Sequence, residues 1–219
     1  MKHITYFNLL DAFKESGCFI CTLIKKSVHK SMDDFLYEQV NDPGVRKNIK
    51  ESFGFCNRHI WQLQKFGDGF GISIVYKDLA QSINKKLGEI NVLFSLIKDL
   101  NKYRRQKNNC IFCRQYKEVE NRYIAVFIEN FMDSELMYHY KNSFSFCIPH
   151  LLTIINKFKN KKAIEEIIMI ESEKISGLIA ELEEFQRKHD YRFSKEGFGK
   201  ESDSWIRVIE KLEGKEGVF

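Results

Sequence analysis

Proline and glycine are scarce in this sequence, with two prolines and twelve glycines in 219 residues. That scarcity argues against a turn-rich sheet protein and for long helices. Long apolar runs are absent too. Nothing approaches the roughly 18 consecutive apolar residues of a membrane span. Near the N-terminus, Asn8 and Asp11 interrupt the apolar stretch before it could act as a secretory leader. The expectation is a cytoplasmic chain whose thiols stay reduced. Common catalytic signatures are missing as well: no Walker loop, Gly-x-Gly-x-x-Gly, Gly-x-Ser-x-Gly or His-Glu-x-x-His occurs. No enzyme class is indicated, so catalysis stays an open but less favoured reading. Strong charge imbalance is also lacking. The 35 basic and 30 acidic residues leave +5, which suits a nucleic acid or anionic surface without requiring one. Apolar content, by contrast, reaches 43% with 19 Phe, enough for a real core.

The six cysteines fall into one pattern. Cys18-x-x-Cys21 recurs 92 residues on as Cys110-x-x-Cys113, and Cys56-x-x-His59 recurs 91 residues on as Cys147-x-x-His150. The interval between the two motifs is therefore the same in both places but for one slipped residue. Apolar and capping positions follow the same offsets: Phe35 with Phe127, Asp42 with Asp133, Phe55 with Phe146, Val75 with Ile167. Such matching is what duplication of one folding unit leaves behind. The expected architecture is all-α, a duplicated unit of about four helices spanning 1–109 and 110–219. A short helix from about Asp203 follows, with Trp205, Val208, Ile209 and Leu212 facing inward.

Within each unit, a long helix starts at the Cys pair. Asp42 with Pro43 opens a short second helix, and Cys-x-x-His begins a third. The fourth carries an apolar stripe through Leu79, Ile83, Leu87, Ile90, Leu93, Ile97 and Leu100, or Ile164, Ile167, Ile168, Ile175, Leu178, Leu182 and Phe185.

Sulfur and imidazole at helix starts suit a metal, because exposed N–H groups there favour the thiolate. Grouped in chain order, Cys18, Cys21, Cys56 and His59 form one Cys₃His set. Cys110, Cys113, Cys147 and His150 form the other. Cys₃His is a standard closed zinc site, so two structural zinc ions per chain are expected. An iron–sulfur cluster on the same ligands, in a redox protein or enzyme, is the alternative. The remaining histidines do not repeat: His29 aligns with Asn121 and His139 with Asn48.

These motifs resemble a bacterial family of unknown function. Its members carry Cys-x-x-Cys, then Gly-Phe-Cys-x-x-His (here Gly54 to His59), then second copies of both pairs. The resemblance includes a tail like Lys188–Phe193, Glu201 and Ser204-Trp205, and it covers nearly the whole chain. It implies the architecture and no activity.

Two further segments invite a functional reading. His189, Asp190, Arg192 and Glu201 could form a binding loop, or a solvated connection whose charges pair with one another. Lys102–Lys107 and Lys157–Lys162 are basic with Tyr103 and Phe158 interleaved, which would suit nucleic acid, or helix ends whose cations complement the dipole. A helical scaffold or interaction protein with a protein partner is the leading expectation, and a nucleic-acid partner a lesser one.

Overall fold

The computed structural model describes residues 2–88, 110–193 and 195–219, and there it is all-helical, with ten α-helices and no strand. These are α1 Ile4–Ala12, α2 Phe19–Asp34, α3 Pro43–Glu51, α4 Asn57–Gln64 and α5 Gly69–Gly88, then α6 Ile111–Glu129, α7 Ser134–Asn142, α8 Ile148–Lys157, α9 Lys161–Lys188 and α10 Ser204–Glu213. No helix among the described residues is long and apolar enough to cross a membrane. By internal contacts the chain forms two compact units. One comprises Met1–Lys25 with Glu120–Phe219, the other Lys26–Val119. Each unit therefore takes pieces from both sequence repeats.

The one-residue slip in the spacing has a structural counterpart. It falls between Phe35 and Asp42, where α2 ends in a π-helical turn, Phe35–Gln39. A π-turn is how a helix absorbs one additional residue without losing its backbone hydrogen bonds. Past that point the aligned caps agree. Asp42 accepts the Val45 N–H at 2.7 Å and Asp133 accepts that of Leu136 at 3.0 Å, each opening the short helix that follows. Asp133 also accepts the Tyr6 hydroxyl at 2.7 Å. That bond and Lys2 hold its carboxyl well below the ordinary carboxylate range. Asp133→Ala is expected to cost about 1–2 kcal/mol, as lost N-caps do, readable as a lower urea midpoint.

Each unit is built on aromatic rings. In the first, Phe19 lies 4.7 Å from Phe146 and 5.8 Å from Phe127 between ring centroids, and Tyr140 lies 5.1 Å from Phe127. In the second, Phe112 stacks on Phe55 at 5.1 Å, and Phe35 meets Phe55 edge-on at 5.4 Å. The aligned pair Phe127 and Phe146 meets edge-on, at 5.1 Å, as Phe35 and Phe55 do. Tilted and edge-on pairs of this kind add to what burial alone supplies.

The stripes fare unevenly. Val75, Leu79, Ile167 and Leu178 are buried, whereas Ile83 and Ile168 are exposed. Ile90, Leu93, Ile97 and Leu100 lie outside the described residues, as does the basic segment Lys102–Lys107. The other basic segment spans the joint between α8 and α9, where Asn160 caps α9.

The last helix is turned the other way from its expected orientation. Ser204 and Lys211 are buried, while Trp205, Ile209 and Leu212 are 50%, 53% and 48% exposed and Val208 is half-buried. The cause is Glu171, wholly buried in α9, which pairs with the Lys211 ammonium at 2.5 Å. A carboxylate in a core requires a cation and hydrogen bonds, and α10 supplies the cation from its polar edge.

Candidate metal centres

Each Cys/His motif begins a helix in the same manner. Its first Cys directly precedes the helix, and its carbonyl accepts the first intrahelical bond: Cys18 from Thr22 at 3.0 Å, Cys56 from Ile60 at 3.0 Å, Cys110 from Arg114 at 3.1 Å and Cys147 from Leu151 at 2.8 Å. The second ligand is the third helical residue. N-cap and N3 side chains meet over one turn, so the x-x spacing brings both donors to the same spot. The positive helix end favours a thiolate there.

The donors assemble into two groups, each with all four ligand atoms within 4.8 Å of one another. One is Cys18, Cys21, Cys147 and His150; the other is Cys56, His59, Cys110 and Cys113. All eight expected ligands are used, and each group lies within one unit. Grouping in chain order is corrected: Cys18 and Cys21 join His150, not His59. Helix length explains the exchange. From Cys21 the chain travels about 30 Å along α2 and its π-turn, and nine-residue α3 recovers at most about 14 Å. Cys56 therefore starts its helix in the other unit from the pair that precedes it.

In the first centre His150 Nδ1 lies 3.5 Å, 3.4 Å and 3.2 Å from the sulfurs of Cys18, Cys21 and Cys147, and the sulfurs of Cys21 and Cys147 are 3.7 Å apart. All four residues are buried. The far nitrogen, Nε2, faces Glu120 Oε1 at 3.4 Å. The contact is at ion-pair distance and Nε2 makes no hydrogen bond among the described residues, so the carboxylate supports the imidazole as a donor through its charge. Phe219 packs on the imidazole at 4.9 Å between centroids, and Lys215 donates to the Thr22 hydroxyl at 2.8 Å, so the C-terminal segment covers this centre. Gly214 permits the approach: its φ is +85°, and a Cβ there would strike the Phe219 ring at 2.4 Å.

In the second centre His59 Nδ1 lies 3.1 Å, 3.6 Å and 3.3 Å from the sulfurs of Cys56, Cys110 and Cys113, and the sulfurs of Cys56 and Cys113 are 3.5 Å apart. Cys56 and Cys113 are only half-buried. Here Nε2 meets the Arg58 guanidinium at 3.3 Å.

Proton affinities within each group split apart. Burial would raise the Cys18 thiol, but hydrogen bonds from Cys147, Cys21 and His150 reverse that and hold it well below the usual value. Cys21 is driven up by Cys147 and Cys18. Likewise Cys110 and Cys113 lower Cys56, while Cys110 and Cys56 raise Cys113. Burial opposes a charge on His150, yet Cys147, Cys18 and Glu120 push it up to about 11. Crowded thiols cannot all ionise by themselves. A bound cation would let them.

The residues of the expected binding loop pair locally. Asp190 and Arg192 pair locally at 2.7 Å, and His189 Nδ1 contacts the Phe185 carbonyl at 2.8 Å. Glu201 is buried, accepting from the Gly199 N–H at 2.8 Å and Lys188 at 2.7 Å, which bring its carboxyl down to about 2. Asp203 makes no side-chain cap to α10. Sequence reasoning missed Glu120, Glu171 and Lys211. One signal was available for Glu171: it stands where the aligned apolar stripe has Leu79.

No solved structure matches the chain. An uncharacterized 23.9 kDa protein in the xynA 3' region of Caldicellulosiruptor sp. (strain Rt8B.4) is 31% identical over 188 residues, covering 84% of this chain and 88% of that protein. Residues 1–217 match the family of unknown function DUF6062, and the chain belongs to that family.

Proposed function

We propose that this chain is a cytoplasmic helical scaffold or interaction protein in which each Cys₃His quartet holds one structural zinc ion. Donor spacing carries the reading. A tetrahedral zinc with sulfur at about 2.3 Å and nitrogen at about 2.0–2.1 Å sets its sulfurs about 3.8 Å apart and sulfur from nitrogen about 3.6 Å. One sulfur pair in each centre, at 3.5 Å and 3.7 Å, and the sulfur–nitrogen pairs at 3.1–3.6 Å sit at or just inside those values, with every donor pair within 4.8 Å. An iron–sulfur cluster inserts several irons and sulfides between its ligands and needs a wider cage. Four protein donors complete a tetrahedron, which supports a structural rather than a catalytic ion. All six cysteines are free thiols, in keeping with a reducing compartment. The exposed apolar edge of α10, with Trp205, Ile206, Ile209 and Leu212, supports a partner-binding role.

Metal analysis of protein purified without oxygen tests the proposal. Two zinc per chain and a colourless solution are expected. A brown preparation absorbing at about 400 nm with stoichiometric iron would replace zinc by the cluster reading.

A further inference from the structure

We infer that the second centre is a site of oxidative modification: a peroxide converts Cys56 and Cys113 to a disulfide and expels the zinc, while the first centre keeps its ion. This rests on the zinc reading above and assigns the two ions different roles.

Two independent asymmetries support it. The first is access. In the first centre every ligand is buried and the C-terminal segment, through Phe219 and Lys215, lies over it. In the second, Cys110 and His59 are buried, but Cys56 and Cys113 are only half-buried and their sulfurs lie 3.5 Å apart. Oxidation follows thiolate character and exposure, and a neighbouring thiol resolves the first product. The second asymmetry is the imidazole's support. His150 has the Glu120 carboxylate behind it; His59 has the Arg58 guanidinium at the same nitrogen. Outer partners of a ligand histidine are worth about 10–100-fold in metal affinity, so His59 is the weaker donor. The aligned residues agree. Pro149 stands where Arg58 does, and Val28 where Glu120 does.

The chemistry balances with hydrogen peroxide as oxidant. One of these half-buried thiolates attacks a peroxide oxygen; the O–O bond breaks, and a sulfenic acid and hydroxide form. The second thiolate attacks the sulfenic sulfur, the S–O bond breaks, and a further hydroxide leaves as the disulfide closes. Two protons from the buffer convert both hydroxides to water. The sulfurs lose two electrons and the peroxide gains them. With two of its four donors gone, the zinc is released. Closure needs the sulfurs to move from 3.5 Å to about 2.05 Å.

The test uses the full chain carrying its two zinc ions, counted beforehand. Hydrogen peroxide is added, released zinc is followed with a chromogenic chelator, and disulfides are mapped by peptide mass spectrometry. One zinc is expected to leave at least about tenfold faster than the other, with a Cys56–Cys113 disulfide and full recovery on adding dithiothreitol and zinc. Equal release of both ions, oxidation of Cys18, Cys21 or Cys147 first, or a Cys110–Cys113 disulfide would overturn the inference and leave the zinc reading intact. Fewer than two zinc before oxidant would overturn both.

Discussion

Lys211→Met is expected to destabilise the first unit by about 3–5 kcal/mol, the cost of stranding a buried charge, and to lower its Tm by roughly 10 °C. The Glu171 carboxylate is wholly enclosed and has four partners. Lys211 lies at 2.5 Å, the Tyr140 hydroxyl donates at 2.6 Å, Ser145 at 2.9 Å and the Phe146 N–H at 3.2 Å. Burial and that carboxylate drive the Tyr140 phenol far above its ordinary range, so it remains a donor. Removing only the cation leaves the anion in place. Removing the whole constellation should do far less harm, because the second unit shows the apolar version: Ile49, Gly54 and Leu79 align with Tyr140, Ser145 and Glu171. Ser145 even keeps the left-handed backbone of Gly54, φ +71° against +92°, a conformation that costs about 1 kcal/mol or more outside glycine. The variant combining Tyr140→Phe, Ser145→Gly, Glu171→Leu and Lys211→Met should therefore recover most of the loss. Glu171→Leu with Lys211→Met should fall between, since both hydroxyls keep no carboxylate to bond. Thermal unfolding of the zinc-loaded proteins ranks the three. A Lys211→Met protein as stable as the parent would show that the pair contributes nothing.

The ligands were legible in the sequence because metal chemistry restricts them tightly: few residue types, fixed x-x spacing, and helix starts marked by the residues that follow. The caps at Asp42 and Asp133 were legible for the same local reason. Their grouping was not, because convergence depends on where a helix delivers its far end. α2 carries the chain out of the unit that holds the Cys18 pair and into the unit where Cys56 starts its helix. The orientation of α10 escaped for a different reason. Apolar spacing identifies a face that can be buried, but the competing claim came from a single carboxylate in α9, remote in sequence. A charged residue at an apolar stripe position asks for a partner. Here the partner, Lys211, decided which side of the helix turned inward.

The exchanged grouping makes a prediction that chain-order grouping reverses. On the zinc proposal, Cys56→Ser and Cys110→Ser should each leave one zinc per chain, and the double variant should still hold one, because both residues belong to the same quartet. Cys18→Ser with Cys56→Ser should hold none. Were the ligands grouped in chain order, the first double variant would lose both ions and the second would keep one. Stability should follow the metal count. Binding to zinc-finger-like sites carries about 10 kcal/mol or more of folding free energy, so each lost ion is a large effect, confined to the unit that holds it. Two substitutions at one centre remove that contribution once and are strongly non-additive, while one at each centre removes it twice. Zinc counted by elemental analysis, set beside unfolding of each unit, reads both consequences. A Cys56→Ser, Cys110→Ser protein with no zinc would show that the donors are not shared as the two helix starts place them.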